Sequence, residues 1–346
     1  MKTRLNILIL CILSTCISCS DKLRSDNDSE AGHIITFSPA IPEINIESKA
    51  DLYDSNNLIS NNSGNFSVIA YKAGLNGADN LHFKDFNRVF YFKDDMSWQF
   101  YNADSDSFYQ RYWPEYALDF LAFMPYDLAN TGVTVTKETQ SIECTLPTSS
   151  SDQQNAKEFV YAFTAEQSYS DQTGGVVALN FIHPFAALNL KLGKAHGNTY
   201  VDRVEIRNIA YKGSLTISTA NNSQDELSYE DWTLKPSASD PDTEDLIVSV
   251  RKTVGISGSN GIQTNSPIGG PYILLPQETA AIRLYVNFVW NSTPHEAEVE
   301  LTNSSWTPGK IYTYTLDLGD DKEDVKANVT ITDWTKIEYK NEVDVE

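Results

Sequence analysis

Two cysteines near the start of the sequence are the residues best placed for covalent chemistry. Cys16 and Cys19 close a short apolar stretch, residues 5–17, that follows two basic residues. The stretch is too short to span a bilayer as a helix, so it predicts a secretory signal. A small residue followed by cysteine is the pattern that a lipoprotein signal peptidase cleaves, and the cysteine sulfur then carries the lipid. Covalent acyl chains anchor a protein stably when more than one is attached.

Cys19 is the favoured lipidation site because Ser18 precedes it and a charged segment follows it. Cys16 is the alternative, since Leu13, three positions before it, suits such a signal better. We therefore expect a lipoprotein signal peptide over residues 1–18 and a flexible, polar tether over residues 19–32.

Other combinations of reactive residues are weak. The five histidines lie apart, and His183 falls within an apolar strand, which favours a structural role. The pairs Asp104/Asp106 and Asp240/Asp242 do not complete a calcium-binding loop. No nucleophile elbow, phosphate loop or dinucleotide fingerprint is present. The sequence predicts neither an enzyme nor a cofactor or metal site.

Two further features have competing interpretations. Tyr109, Tyr112 and Trp113 could form a platform for a sugar, or they could cap the end of a β-sandwich beside Pro114. Cys144 is the only cysteine beyond the signal region, so it forms no internal disulfide and is expected to be a small buried residue.

Composition limits the classes of partner. The chain has 26 Lys and Arg against 47 Asp and Glu, a formal net charge of −21. This charge argues against binding to nucleic acid, which requires basic residues to neutralise phosphates, and against lying flat on an anionic membrane. Aromatic residues make up 11% of the chain, which suits cross-strand pairs in β-sheets.

Apolar residues alternate with polar ones in short runs, and no long window has a helical stripe. Residues 89–92 and 98–101 read as a hairpin, and residues 188–192, 282–288 and 312–318 have a strict period of two. Such short strands separated by turns indicate an all-β sandwich or barrel. The polar, glycine-containing stretch 168–175 is the expected joint between two domains.

Several short sequence motifs, taken in their order along the chain, support a resemblance to a known family. They are Trp98, Tyr112-Trp113-Pro114, residues 118–125, residues 176–183, Ile206-Arg207-Asn208-Ile209 with Gly213, Leu274-Leu275-Pro276-Gln277, residues 306–314 and Ile331-Thr332-Asp333-Trp334. From about residue 33 onward the chain resembles the fimbrillin-like family of Gram-negative type V pilus subunits. The resemblance implies two transthyretin-like β-sandwich domains in tandem, with Greek-key, immunoglobulin-like topology, over residues 33–170 and 171–346.

The resemblance also implies assembly outside the cell by strand exchange. A trypsin-like protease would cut near the N-terminus of the fold, the first strand (about residues 33–49) would leave, and a strand from another subunit would fill its groove. We expect the cut between Lys49 and Ala50; Lys22 and Arg24 are alternatives that would release the lipid without opening a groove. The candidate first-strand residues are Ile34, Ile35, Phe37, Ile41, Ile44 and Ile46, and the candidate donor-strand residues are Ile337, Tyr339, Val343 and Val345.

These features predict a structural subunit of a fimbrium that supports cell adhesion, at the outer membrane and in the fimbrium. Its expected partners are other fimbrillin subunits, the lipoprotein export machinery, the protease and the outer membrane through the lipid; a host glycan or protein is a further candidate. Stalk, tip and anchor roles stay open, because residues 337–345 could equally form the last strand of their own domain. The alternative function is a monomeric, lipid-anchored module that binds glycans or host proteins.

Overall fold

The protein is described by a computed structural model over residues 32–40, 65–75, 78–92, 97–153, 155–170, 174–193, 195, 199–235, 243–253, 266–290, 292–318 and 325–334. Nearly all of its regular structure is β-strand, which confirms the all-β fold class. One helical turn, Ser150–Gln153, and three 3-10 helices, Ala78–Asn80, Thr219–Asn221 and Tyr229–Asp231, lie between the strands. None of the helices in these ranges is long and apolar enough to span a bilayer.

Strands follow one another at short intervals along the whole described chain. The first ten are β1 Thr36–Ala40, β2 Asn65–Lys72, β3 Asn87–Phe92, β4 Ser97–Asn102, β5 Ser107–Tyr109, β6 Leu118–Met124, β7 Val133–Thr136, β8 Ser141–Thr145, β9 Val160–Gln167 and β10 Val176–Asn180. The remaining strands are β11 Ala186–Leu192, β12 Thr199–Ala210, β13 Lys212–Thr216, β14 Trp232–Leu234, β15 Thr243–Thr253, β16 Ser266–Leu274, β17 Gln277–Glu278, β18 Arg283–Trp290, β19 Thr293–Glu300, β20 Ser305–Trp306, β21 Lys310–Leu318 and β22 Val325–Asp333.

A first hydrophobic core surrounds a six-stranded antiparallel sheet with the order β5-β4-β3-β2-β6-β9. Strand β6 is buried along its whole length, so both faces of the sheet are covered at its centre. On one face Phe37 of β1 packs against Phe120. On the other face the hydroxyl of Tyr71 donates to the carbonyl of Lys137, between β7 and β8. Strands β3 and β4 pair as the hairpin that the sequence predicts.

A second core lies between two four-stranded sheets, with the orders β16-β11-β21-β22 and β15-β12-β18-β19. Strands β11, β18 and β21 each bury the apolar side chains of their period-two pattern in it. Because both sheets contribute their inner faces to one core, this part of the chain is a β-sandwich. The predicted period-two strands are thus confirmed.

The two cores are not separated at residue 171. Strand β10 lies beyond that position, yet Val177 and Leu179 belong to the first core. Strands β13 and β14 also return to the first core, where they extend the β7-β8 pair into a four-stranded sheet. The division into domains at residues 170 and 171 therefore stays a prediction, while the packing of the first core runs across it.

Candidate functional site

The first described strand, β1, is held at the margin of the first core rather than inside its main sheet. It pairs with β10 in a two-stranded parallel sheet, with Thr36 opposite Val176 and Phe37 opposite Val177. The backbone N–H of Ile35 donates to the carbonyl of Arg111 at 2.8 Å. Strand β1 therefore bridges the segment before β6 and the edge of β10.

Further backbone bonds flank this strand at both ends. The N–H of Trp113 donates to the carbonyl of His33 at 2.9 Å, and the N–H of Phe181 donates to the carbonyl of Ala40 at 2.8 Å. Because β10 has no other ladder partner in the described sheets, removal of β1 would leave its backbone groups unpaired on that side. Unpaired backbone groups on an apolar groove favour the binding of a replacement strand.

Two of the predicted first-strand side chains enter the core. Ile35 is 2% exposed and Phe37 is 5% exposed. The ring of Phe37 makes edge-to-face contacts with Phe66, Phe100 and Phe120, with ring centroids 5.6, 5.5 and 5.9 Å away. Such contacts add to the free energy gained by burying the ring.

Ile34 behaves differently from its neighbours. Its side chain is 37% exposed, and its backbone forms an isolated bridge with Tyr112. It therefore contributes little to filling the groove, because successive side chains of an extended segment point to opposite sides and Ile35 occupies the inner one.

Trp113 forms part of the groove wall and is not a surface residue. It is 2% exposed, and its indole Nε1 donates to the carbonyl of Gly175 at 3.2 Å. A sugar platform built on Tyr109, Tyr112 and Trp113 is therefore wrong, because the largest ring has no free face. Gly175 has a φ of +77°, and a Cβ there would lie 2.8 Å from the carbonyl oxygen of Ile34.

One cluster of exposed aromatic side chains lies over the outer face of β3, β4 and β5. Phe108 and Tyr126 are 38% and 39% exposed. The guanidinium of Arg88 lies over the ring of Tyr126 at 4.8 Å and over that of Tyr101 at 5.7 Å. The sequence alone does not reveal this surface, because it depends on strand register: Arg88 stands opposite Tyr101, and Tyr101 stands opposite Phe108.

A polar pair is buried beside Trp334, the last described residue. Nδ1 of His183 lies 2.5 Å from Oε1 of Glu158, and both side chains are buried. The imidazole also stacks on the ring of Trp334, with ring centroids 5.0 Å apart. These contacts confirm a structural His183. Trp334 directly follows β22 of the second sandwich, yet its side chain belongs to the first core.

The other candidate reactive groups have local structural roles. Cys144 is a buried free cysteine, as expected, and burial raises the pKa of its thiol. Asp106 accepts a hydrogen bond from the hydroxyl of Tyr101 at 2.6 Å. Across the described ranges no three His, Cys, Asp or Glu residues are grouped as a metal site.

The remaining predicted site residues lie outside the described residues. They are the lipidation candidates Cys16 and Cys19, the processing site Lys49 and Ala50, the first-strand residues Ile41, Ile44 and Ile46, and the donor-strand residues Ile337, Tyr339, Val343 and Val345. The pair Asp240 and Asp242 also falls there. Their roles stay predictions.

Comparisons with known proteins agree with this architecture. The family model described as fimbrillin-like matches residues 53–334. A fimbrial protein from Bacteroides vulgatus is 16% identical and has a TM-score of 0.58, with 87% of this chain and 99% of that chain covered. A protein from Bacteroides ovatus described as a cell adhesion protein is 16% identical and has a TM-score of 0.53, with 88% and 99% covered. At this identity the likeness establishes a shared fold. A search of curated protein sequences found no match.

Proposed function

Since the chain belongs to the fimbrillin-like family, we propose that it is a structural subunit of a cell-surface fimbrium that assembles by exchanging its first strand. The observation that carries the proposal is the way β1 is held. It has two buried anchors, Ile35 directly before the strand and Phe37 within it, and the strand pairs only with β10 among the described sheets. Such a strand can leave without dismantling the six-stranded sheet.

The energetics of this arrangement support replacement by another strand. Burial of an apolar side chain contributes ~1.5–3 kcal/mol, so the two anchors together contribute roughly 3–6 kcal/mol. A typical domain has a total stability of about 5–15 kcal/mol. For a subunit in the upper half of this range, loss of β1 leaves a weakened but folded molecule with an open apolar groove, which a strand from another subunit would cover.

The N-terminal segment contains candidate residues for two steps before assembly, lipid attachment and proteolytic cleavage. The proposed lipid on Cys19 would carry the subunit through the lipoprotein export machinery to the outer membrane. A trypsin-like protease would then cut between Lys49 and Ala50, which separates β1 and the lipid from the rest of the chain. In this scheme the lipid is a transport tag that is removed together with the first strand.

N-terminal sequencing of the protein extracted from the cell surface tests the scheme. We expect the sequence to begin at Ala50 in the assembled fraction, and Lys49→Ala to accumulate as an unassembled, lipid-bearing monomer. Lys84→Ala, which changes an exposed lysine in the first half of the chain, is the matched control and should assemble normally. Fimbriae that form from chains still carrying residues 33–49 would contradict strand exchange.

A second candidate function is the binding of a host glycan or protein, and the outer face of β3, β4 and β5 favours it. Exposed aromatic rings stack on the apolar faces of sugars, and an arginine held by such rings can donate hydrogen bonds. If this face binds, Phe108→Ala should abolish retention on a glycan array while leaving assembly intact. Retention equal to that of the unchanged protein would remove this candidate.

A further inference from the structure

Arg88 differs from the other arginines of the described chain in its polar contacts. The others whose side chains are described each have an ion pair or a hydrogen bond; they are Arg111, Arg203, Arg207 and Arg283. Arg88 has neither among the described residues, and its Nε is buried without a hydrogen-bond partner. In a chain with 47 acidic residues against 26 basic ones, this guanidinium is therefore left without a carboxylate.

Aromatic rings surround Arg88 instead. The central carbon of its guanidinium lies 4.8 Å from the ring centroid of Tyr126, 5.5 Å from that of Phe90 and 5.7 Å from that of Tyr101. Such contacts attract the cation to the face of each ring and use none of its N–H groups as hydrogen-bond donors. The guanidinium is therefore held in position while its capacity to donate hydrogen bonds is not used within the described chain.

Strand register places Arg88 in a row of side chains on the outer face of β3, β4 and β5. Arg88 stands opposite Tyr101, and Tyr101 stands opposite Phe108 on the edge strand β5. The rings of Tyr101 and Phe108 lie 5.4 Å apart, and Phe108 is 38% exposed. Because adjacent strands are ~4.8 Å apart, Phe108 stands roughly 10 Å from Arg88 along this row. The row thus combines an aromatic platform at the sheet edge with a cation two strands inward.

The carboxylate beside this row is used elsewhere. Asp106, on the turn between β4 and β5, accepts a hydrogen bond from the hydroxyl of Tyr101 at 2.6 Å and forms no ion pair with Arg88. A carboxylate that arrives from outside would therefore displace no partner from Arg88. At an arginine that already binds a glutamate, such as Arg203 or Arg283, it would have to compete with that glutamate.

These features together specify the chemistry of a ligand. A guanidinium offers parallel N–H groups that match the two oxygens of a carboxylate. An exposed aromatic ring packs against the apolar face of a sugar ring. The backbone groups of β3 and β4 are already paired with strands on both sides, so a peptide lying on this face would find no backbone partner there. A sugar that carries a carboxylate satisfies both the cation and the rings.

We infer that this face binds an acidic glycan, with the carboxylate of one sugar on Arg88 and a neighbouring sugar on Phe108. A single sugar ring is narrower than the roughly 10 Å between these positions, so the ligand contains at least two linked sugars. The inference rests on the glycan binding proposed above as the second candidate function, and it adds the class of the ligand. It does not depend on strand exchange.

The first experiment compares matched pairs of glycans on an array. The two members of a pair have the same linkages and differ at one sugar, which is a hexuronic acid in one member and the parent hexose in the other. The uncut, full-length chain should bind the acidic members at least about tenfold more tightly, because hydrogen bonds to a charged group contribute that much. Methyl esters of the same acids should bind like the parent hexoses, since esterification removes the charge.

The second experiment changes the arginine. Arg88→Gln should lower the binding of the acidic members to that of the neutral members and leave the neutral binding unchanged. Arg203→Gln removes the same charge from a paired arginine of the second sandwich, so it is the matched control and should keep the acid preference. Urea midpoints of the variants show whether each is folded. The ester comparison uses the unchanged protein, so it tests the inference even if Arg88→Gln folds poorly.

The outcomes separate the inference from the function on which it rests. If no glycan is retained in a way that depends on Phe108, glycan binding and the acidic ligand are both overturned. If acids, esters and parent hexoses are retained equally, only the acidic ligand is overturned. An acid preference that survives Arg88→Gln, or that Arg203→Gln also removes, overturns the role of Arg88. A glutamate peptide of equal charge that competes as well as the acidic glycan overturns the sugar and favours a protein partner.

Discussion

Replacement of Phe37 by alanine provides the sharpest test of how β1 is held in the uncut chain. The side chain is almost completely buried and contacts three aromatic rings. Phe→Ala changes in a core destabilise a protein by about 3–5 kcal/mol. Each aromatic pair contributes ~0.5–1.5 kcal/mol beyond its buried area, so the upper half of that range is expected here.

Urea unfolding followed by tryptophan fluorescence measures this change. Trp98 and Trp113 both belong to the first core, so they report on its loss of structure. With a urea dependence of ~1–3 kcal/mol/M, a loss of about 4 kcal/mol moves the midpoint by roughly 2 M. Phe108→Ala is the matched control: it removes the same side chain from an exposed position and should change the stability by less than about 0.5 kcal/mol.

The same variant makes a second, kinetic prediction. A weaker first strand should leave the groove sooner after cleavage, so Phe37→Ala should assemble faster than the parent chain. If Phe37→Ala shifts the urea midpoint no more than Phe108→Ala does, then β1 does not contribute to the first core, and its removal would not open an apolar groove.

Three other perturbations test features around the groove and the end of the described chain. Gly175→Ala should destabilise the protein by ~1–3 kcal/mol more than Gly174→Ala, because both have positive φ but only at Gly175 would the new Cβ lie within 3 Å of other atoms, the carbonyl oxygen of Ile34 and Nε1 of Trp113; equal midpoints in urea would refute the close contact. Burial, with help from nearby positive charges, lowers the pKa of His82 to about 4, so the unfolded state binds the proton more readily. Stability should therefore rise from pH 4 to about pH 6.5 and level off above it, and a His82→Gln variant that keeps the same slope would contradict this assignment. Trp334→Ala should lower stability by about 3–5 kcal/mol, whereas Ile331→Ala, at an exposed position on the preceding strand, should have little effect; calorimetric midpoints that fall equally would refute the contribution of Trp334 to the first core.

The local sequence pattern was sufficient to predict much of the fold. The β3–β4 hairpin and the period-two strands β11, β18 and β21 follow from side-chain alternation, which needs only neighbours along the chain. The burial of Cys144 was also predicted, because a cysteine without a disulfide partner usually behaves as a small buried residue. The structural role of His183 was predicted because it lies within an apolar run. The short motifs that resemble the fimbrillin-like family were recognisable for the same reason, because each is a contiguous stretch of the sequence.

Contacts between distant residues could not be predicted in this way. The sequence did not reveal that Trp113 bonds to Gly175, that Ile34 faces outward while Phe37 is surrounded by three rings, or that the first core continues past residue 171 into β10. Each of these depends on strand register and on the packing of segments far apart in the chain. Alternation specifies that a strand has an inner face; only the tertiary structure decides which partner covers that face.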